Sequence, residues 1–93
     1  MSEQELEADR QQLLEKAKSN FDGEDDLKKR FGPDTFGSHE LLDRAFMLQE
    51  NWEHYVKEHP TTLLNPDAFK LASEIVEKMY DFYNLAARKS MDE

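Results

Sequence analysis

The sequence predicts an all-α protein, a small helical bundle built on an antiparallel helical hairpin. Apolar residues recur at three- and four-residue spacing, the segments that carry them begin with capping residues, and no segment shows a strand pattern. A chain of 93 residues has the size of one small domain. We therefore expect a single helical domain over residues 1–93, with an N-terminal helical arm and loop at 1–37 and the hairpin core at 38–93.

The N-terminal helix is predicted over about residues 3–19. Ser2 and Glu5 match a capping box, which satisfies backbone N–H groups of the first turn. The apolar residues form only a thin seam, which consists of Leu6, Leu13, Leu14 and Ala17. Because short isolated helices are marginal in water, we expect this seam to dock on the last helix of the chain.

A short second helix is predicted over about residues 24–31. Its acidic residues come first and its basic residues, Lys28, Lys29 and Arg30, come last, which complements the helix dipole. The charged run is typical of a solvated helix surface.

An unusual stretch follows at residues 31–38, where Phe-Gly occurs on both sides of a Pro-Asp turn. Glycine and proline restrict the loop to a defined course, so we expect an ordered loop. Aromatic side chains are usually buried, and we expect Phe31 and Phe36 to pack against Leu42 and Phe46. The alternative is an exposed loop that binds a partner.

The first hairpin helix is predicted over about residues 39–59. Ser38 is a suitable N-cap, and Pro60 ends the helix by excluding His59 from helical backbone angles. The apolar positions follow helical spacing and predict one buried stripe, composed of Leu41, Ala45, Leu48, Trp52, Tyr55 and Val56.

The second hairpin helix is predicted over about residues 66–89, with Asn65 as N-cap and Pro66 in the first helical position. Its buried stripe consists of Phe69, Ala72, Ile75, Val76, Met79, Tyr83 and Ala86, flanked by Leu71, Phe82 and Leu85 on one side and by Tyr80 on the other. These positions cover more than half of the circumference, so the helix needs a second neighbour, either the N-terminal segment or another subunit. The joining turn at 60–65 is short, and we expect Leu63 and Leu64 to fold over the open end of the hairpin. The alternative is that they form a small contact patch.

Composition restricts the classes of partner. The formal net charge of −9 argues against direct binding of nucleic acid or anionic membrane, because both need a positive surface. The chain has no cysteine, so disulfides, thiol catalysis and cysteine-ligated metals are excluded. No apolar run has the length of a membrane span, and we expect a cytoplasmic protein.

Catalytic, cofactor and metal sites are not predicted. His39 and Asp43, Glu50 and His54, and His54 and Glu58 have the four-residue spacing of paired metal ligands, but the two histidines are about 22 Å apart along one helix. Carboxylates are explained by surface ion pairs, namely Glu53–Lys57, Glu40–Arg44 and Glu74–Lys78. The aromatic residues Trp52, Tyr55, Tyr80, Phe82 and Tyr83 are expected mainly in the core. The alternatives are that they line a pocket or that part of the set lies under a partner.

The favoured function is therefore a small acidic interaction module that binds another protein or itself, with a homodimer as one form. The candidate partner interface consists of Phe31, Phe36, Leu71, Tyr80, Phe82 and Leu85. Two alternatives stay open: an acidic inhibitor of a nucleic-acid-binding protein, such as an antitoxin, an immunity-type protein or a phage-type nucleic-acid mimic, and a metal- or ligand-binding bundle.

Overall fold

The computed structural model describes residues 2–91, with side chains for residues 2–88. These residues form five α-helices, which are α1 (Glu3–Asn20), α2 (Gly23–Phe31), α3 (Phe36–Asn51), α4 (Pro60–Leu63) and α5 (Pro66–Met91). A π-helical segment, Trp52–Lys57, continues α3 without a break. The described part of the chain contains no strand, and the predicted all-α class is confirmed.

The helices are arranged as a hairpin with an arm. α3 and its π-helical continuation pack along α5, α2 contacts α3, and α1 contacts α2 but no other described element. The molecule measures 50 × 29 × 23 Å, and its radius of gyration is 16.7 Å. A compact domain of this length has a radius of gyration of about 12 Å. The arm therefore extends away from the hairpin.

The predicted docking of α1 on the last helix is wrong. Gly23 has φ +88°, a conformation that favours glycine, and it turns the chain sharply after α1. The rings of Phe21 and Phe31 then pack edge to face with centroids 5.3 Å apart, which holds α1 against α2. As a result, Leu6 and Leu13 are more than half exposed.

Two of the predicted N-caps are confirmed. The Ser2 hydroxyl accepts a hydrogen bond from the backbone N–H of Glu5, and the Asn65 side chain accepts one from Ala68, both at 3.1 Å. His59 has an extended backbone, as the following proline predicts.

The predicted start of the first hairpin helix is wrong, because Thr35 and not Ser38 is the N-cap of α3. Thr35 is extended, its hydroxyl accepts from the backbone N–H of Ser38, and the Ser38 hydroxyl accepts from the backbone N–H of Thr35 at 3.1 Å. This reciprocal capping box makes Phe36 the first helical residue. Since it projects from the first turn, Phe36 is 82% exposed, and its predicted packing on Leu42 and Phe46 is also wrong.

The α2–α3 junction is packed tightly around Gly37. A Cβ at Gly37 would lie 2.6 Å from the carbonyl oxygen of Arg30 and would overlap the ring of Phe31. Phe31 thus lies between Phe21 and Gly37, while the ring partner of Phe46 is Tyr83, at 6.3 Å.

The hairpin is joined by a hydrogen bond between its two long helices. The indole N–H of Trp52 donates to the carbonyl oxygen of Ala72 at 3.1 Å. Around this contact lie the residues of the described chain that are less than a tenth exposed, which are Gln49, Ala72 and Val76. The core is therefore one thin line of contact between two helices.

The π-helical segment changes which residues face α5. Its backbone N–H groups bond five residues back, as Glu58 does to Glu53 at 3.1 Å, so each turn contains more residues than an α-turn. The predicted stripe is therefore wrong at its end: Tyr55 is 73% exposed, and Lys57 is half-buried instead. The Lys57 ammonium lies 5.8 Å from the ring centroid of Phe69.

The turn between α4 and α5 leaves its leucines outside. The Thr62 hydroxyl donates to the carbonyl oxygen of Val56 at 2.7 Å, which holds α4 against the end of the π-helical segment. Leu63 is 56% exposed and Leu64 is 85% exposed, so the prediction that they cover the hairpin end is wrong. Polar contacts, not leucine packing, hold this turn.

Gly37→Ala should destabilise the protein, although alanine normally stabilises a helix by about 1 kcal/mol relative to glycine. The added methyl group has no space beside Arg30 and Phe31. We expect the free energy of unfolding to fall by about 1–3 kcal/mol, measured by urea denaturation. An increase in the free energy of unfolding would show that the α2–α3 junction has space for the methyl group.

Trp52→Phe should lower the free energy of unfolding by about 1–2 kcal/mol, because it removes the hydrogen bond to Ala72. Far-UV circular dichroism in urea measures the change without the tryptophan. Tyr55→Phe is the control, since Tyr55 is largely exposed, and it should change the free energy by less than about 0.5 kcal/mol. Equal effects from the two variants would contradict a special role for Trp52.

Candidate functional site

An apolar groove runs along one side of the hairpin, between α3 and α5. Its volume is about 840 Å³. The α3 wall consists of Leu41, Arg44, Ala45 and Leu48, and the α5 wall consists of Leu71, Glu74, Ile75, Glu77, Lys78, Met79 and Phe82.

The groove exists because two helices can cover only one ridge of each other. Ala72 and Val76 occupy the line of contact on α5, and the residue before each of them, Leu71 and Ile75, lies about 100° further round the helix. No described element packs over that side, because α1 contacts only α2. The side chains that a third helix would bury therefore line an open groove.

Most of the large apolar side chains in the groove are exposed to solvent. Leu48 and Leu71 are each 59% exposed, Phe82 is 50% exposed and Leu41 is 45% exposed. Single exposed leucines are common on protein surfaces, whereas a contiguous set on facing helices is typical of surfaces that bind a partner.

Charged residues of both signs lie at the groove edge. Arg44 lies 3.5 Å from Glu40, which confirms one predicted ion pair, and the predicted Glu53–Lys57 pair is present at 3.7 Å. Lys78 pairs with Asp81 at 3.9 Å rather than with the predicted Glu74. Glu74 thus remains at the groove wall beside Glu77, where both carboxylates can meet a bound partner.

The six candidate interface residues fall in four places. Leu71 and Phe82 line the groove, and Leu85 follows Phe82 by one turn and is 49% exposed. Tyr80 is 46% exposed but lies about 200° round the helix from Phe82. Phe31 lies against Phe21 at the arm junction, and Phe36 is exposed at the start of α3. The structure thus brings three of the six together.

Sequence reasoning missed the α3 wall of the groove. Leu41 and Leu48 were assigned to the buried stripe, and they would be buried if a third layer covered the hairpin. Of the aromatic residues expected in the core, Trp52 and Tyr83 are half-buried and Tyr55 is 73% exposed. Phe82 and Tyr80, which were also candidate interface residues, are 50% and 46% exposed. The sequence did contain a signal for this exposure: it predicts too few helices to cover so wide an apolar arc on the last helix.

Two histidines of the described chain each lie near one carboxylate that is close in sequence. His39 lies 3.4 Å from Asp34, and His54 lies 3.4 Å from Glu58, each at an exposed position. Within the described residues, no group of three or more histidine and carboxylate side chains comes close enough to hold a metal ion.

Carboxylates are distributed along the helices and many pair with basic side chains one turn away. In α1, hydrogen bonds from Arg10 and then Gln11 lower the pKa of Glu7 from 4.5 to about 2. In α2, the backbone N–H of Asp22 and then the Arg30 guanidinium lower the pKa of Asp26. These carboxylates stabilise the arm in their ionised form.

Comparison with protein-family models, with curated proteins and with solved structures found no match to this chain. Within residues 2–91, no helix has the length and hydropathy needed to cross a bilayer.

Acid should reduce the helix content of the arm. Because the pKa of Glu7 is lowered in the folded protein, its contribution is complete above pH 4.5 and is lost as the pH falls to about 2. Far-UV circular dichroism over this range measures the loss. Glu7→Gln should show a smaller loss than the parent protein, and so should Arg10→Gln, which removes the main hydrogen-bond donor that lowers this pKa. Identical profiles for all three proteins would contradict a stabilising Glu7.

Proposed function

We propose that this chain is a small acidic helical module that acts by binding another protein molecule, without catalytic activity, and that the groove between α3 and α5 is its binding surface. The observation that carries this proposal is the row of exposed apolar side chains on two facing helices, Leu41 and Leu48 on one side and Leu71 and Phe82 on the other. A cytoplasmic location is part of the same proposal.

The chemistry of the groove fits a helical partner. Apolar residues at three- and four-residue spacing on each wall present ridges into which the apolar stripe of another helix can pack. The charged edge, which contains Arg44 and Glu77, can fix the orientation of such a partner. A bound helix would supply the layer that the hairpin lacks.

The polar residues support binding rather than catalysis. A general acid or base works best when its pKa lies near the working pH, whereas hydrogen bonds lower the pKa of Glu7 and of Asp26 further from neutrality. The groove walls themselves are mainly leucine, isoleucine, alanine, methionine and phenylalanine. Such a lining favours association through apolar burial.

The acidic inhibitor stays a second hypothesis, carried by the net charge of −9. A mimic of nucleic acid needs carboxylates free to meet basic groups of its target. Several carboxylates of this chain are instead paired within their own helices, as in Glu24–Lys28 at 3.6 Å and Asp26–Arg30 at 3.0 Å. This internal pairing favours the groove over the acidic surface.

Site-specific photocrosslinking in cells that normally contain the protein tests the proposal. A photoreactive amino acid at position 71, in the groove, should yield discrete crosslinked products. The matched control replaces Leu64, which is more exposed but lies in the α4–α5 turn, outside the groove. We expect few or no products from position 64.

Two outcomes would contradict the proposal. Equal crosslinking from both positions would indicate unspecific collision, and absence of products from position 71 would indicate an unused groove. Repeating the crosslinking in a cell lysate with excess duplex DNA distinguishes the binding module from the acidic inhibitor. Products that DNA removes would favour the acidic inhibitor, because a nucleic-acid-binding target would be released by competition.

A further inference from the structure

We propose that the occupant of the groove is a second copy of this chain, docked through a two-fold interface centred on α5. This inference rests on the proposed function and names its partner. It also assigns a reason for the wide apolar arc of α5, which the arm does not cover.

The solvent-accessible surface of a single chain is larger than that of a compact monomer of the same mass. The chain exposes 7605 Å². A compact monomer of 11.0 kDa exposes about 5,600 Å². The excess of about 2,000 Å² is more than the roughly 800 Å² that each partner contributes to a standard interface. One chain therefore carries enough unburied surface for a stable dimer, even with part of the excess on the arm.

The core of a single chain is too thin for independent stability. Ala72 and Val76 are the buried apolar residues of the described chain, and no described side chain is completely buried. Small domains with so little buried area commonly fold only with a partner, and an identical chain is always present when this one is made. Folding and self-association are coupled in this account.

Charge permits two copies to meet at α5 although each chain is strongly acidic. The residues of α5 include four acids, Asp67, Glu74, Glu77 and Asp81, and four bases, Lys70, Lys78, Arg88 and Lys89. The net charge of this helix is therefore zero, while the remaining residues carry −9. An interface at α5 therefore avoids the repulsion that two strongly acidic surfaces would create.

The groove is also complementary to itself. Its edge contains the bases Arg44 and Lys78 and the acids Glu74 and Glu77. In a two-fold interface the same patch meets its own copy, so a patch needs both signs of charge to be matched. A groove for a basic or an acidic partner would carry an excess of one sign.

The spacing of the α5 stripe fits helix-to-helix packing. Leu71, Ile75, Lys78, Phe82 and Leu85 alternate four- and three-residue steps, which is the seam pattern of helical bundles. Two hairpins joined along this seam form a four-helix bundle. With antiparallel α5 helices the two-fold axis passes near Lys78, the middle of the seam, whose apolar stem can pack while its ammonium reaches solvent.

Sedimentation analysis of the purified full-length protein tests self-association. We expect a concentration-dependent dimer. Leu71→Asp should weaken the dimer at least tenfold, because it places a charge in the seam. Leu13→Asp is the matched control: Leu13 and Leu71 are both leucines in helices and both 59% exposed, but Leu13 lies on the arm. It should leave the dimer unchanged.

Cysteine crosslinking keeps the proposal testable if Leu71→Asp fails to fold. The natural chain has no cysteine, so each variant carries a single thiol. Under mild oxidation Lys78→Cys should form a disulfide-linked dimer rapidly, because residues near a two-fold axis face their own copy. Leu13→Cys and Leu64→Cys should crosslink only at the slower rate of random collision.

A monomer at all concentrations, or equal crosslinking at positions 78, 13 and 64, would overturn the proposal. Loss of the dimer in Leu13→Asp would overturn it as well, because it would indicate exchange of the arm between copies. These results would refute the dimer without refuting the proposed function of the groove. A monomer whose position 71 still crosslinks to another protein in cells would refute self-association and retain the binding groove.

Discussion

The structure depends on the hydrogen bond between the Trp52 indole and the carbonyl oxygen of Ala72. It joins two helices that are otherwise held by a single thin line of contact. The small side chain of Ala72 allows the indole to approach the α5 backbone, and the contact occurs where α3 passes into the π-helical segment. This crossing decides which ridge of each hairpin helix is used for internal packing and which is left outside.

The groove is the direct consequence of that choice. Once Ala72 and Val76 face α3, the neighbouring stripe that begins with Leu71 has no partner within the described chain. The arm could have supplied one, but Gly23 and the Phe21–Phe31 contact direct α1 elsewhere. The hairpin therefore has one packed side and one open apolar side, and it lacks the helices that would cover the open side in a complete bundle. This incomplete packing supports the proposed function in association, since burial of the open side is favourable in water.

Helix bounds were predictable because they depend on local chemistry. Asn65 and Pro66 start α5, Ser2 caps α1, and His59 before Pro60 ends the helical course, all as expected from backbone hydrogen bonding and sterics. The start of α3 was misplaced by a few residues because Thr35 and Ser38 are both good caps, and in the structure Ser38 is the second member of the capping box of Thr35. Of the candidate interface, Leu71, Phe82 and Leu85 could be chosen from periodicity alone, whereas Leu41 and Leu48 could not.

The sequence by itself determined the all-α class, the two-helix hairpin and the excess apolar arc on its last helix. These properties follow from spacing, caps and proline positions, which act within a few residues. Only the tertiary structure decided that the arm leaves this arc open, that the π-helical segment turns Tyr55 outward and Lys57 inward, and that Leu41 and Leu48 line a groove. The physical reason is that a helix periodicity marks an apolar face, but the direction of the connecting turns determines what covers that face.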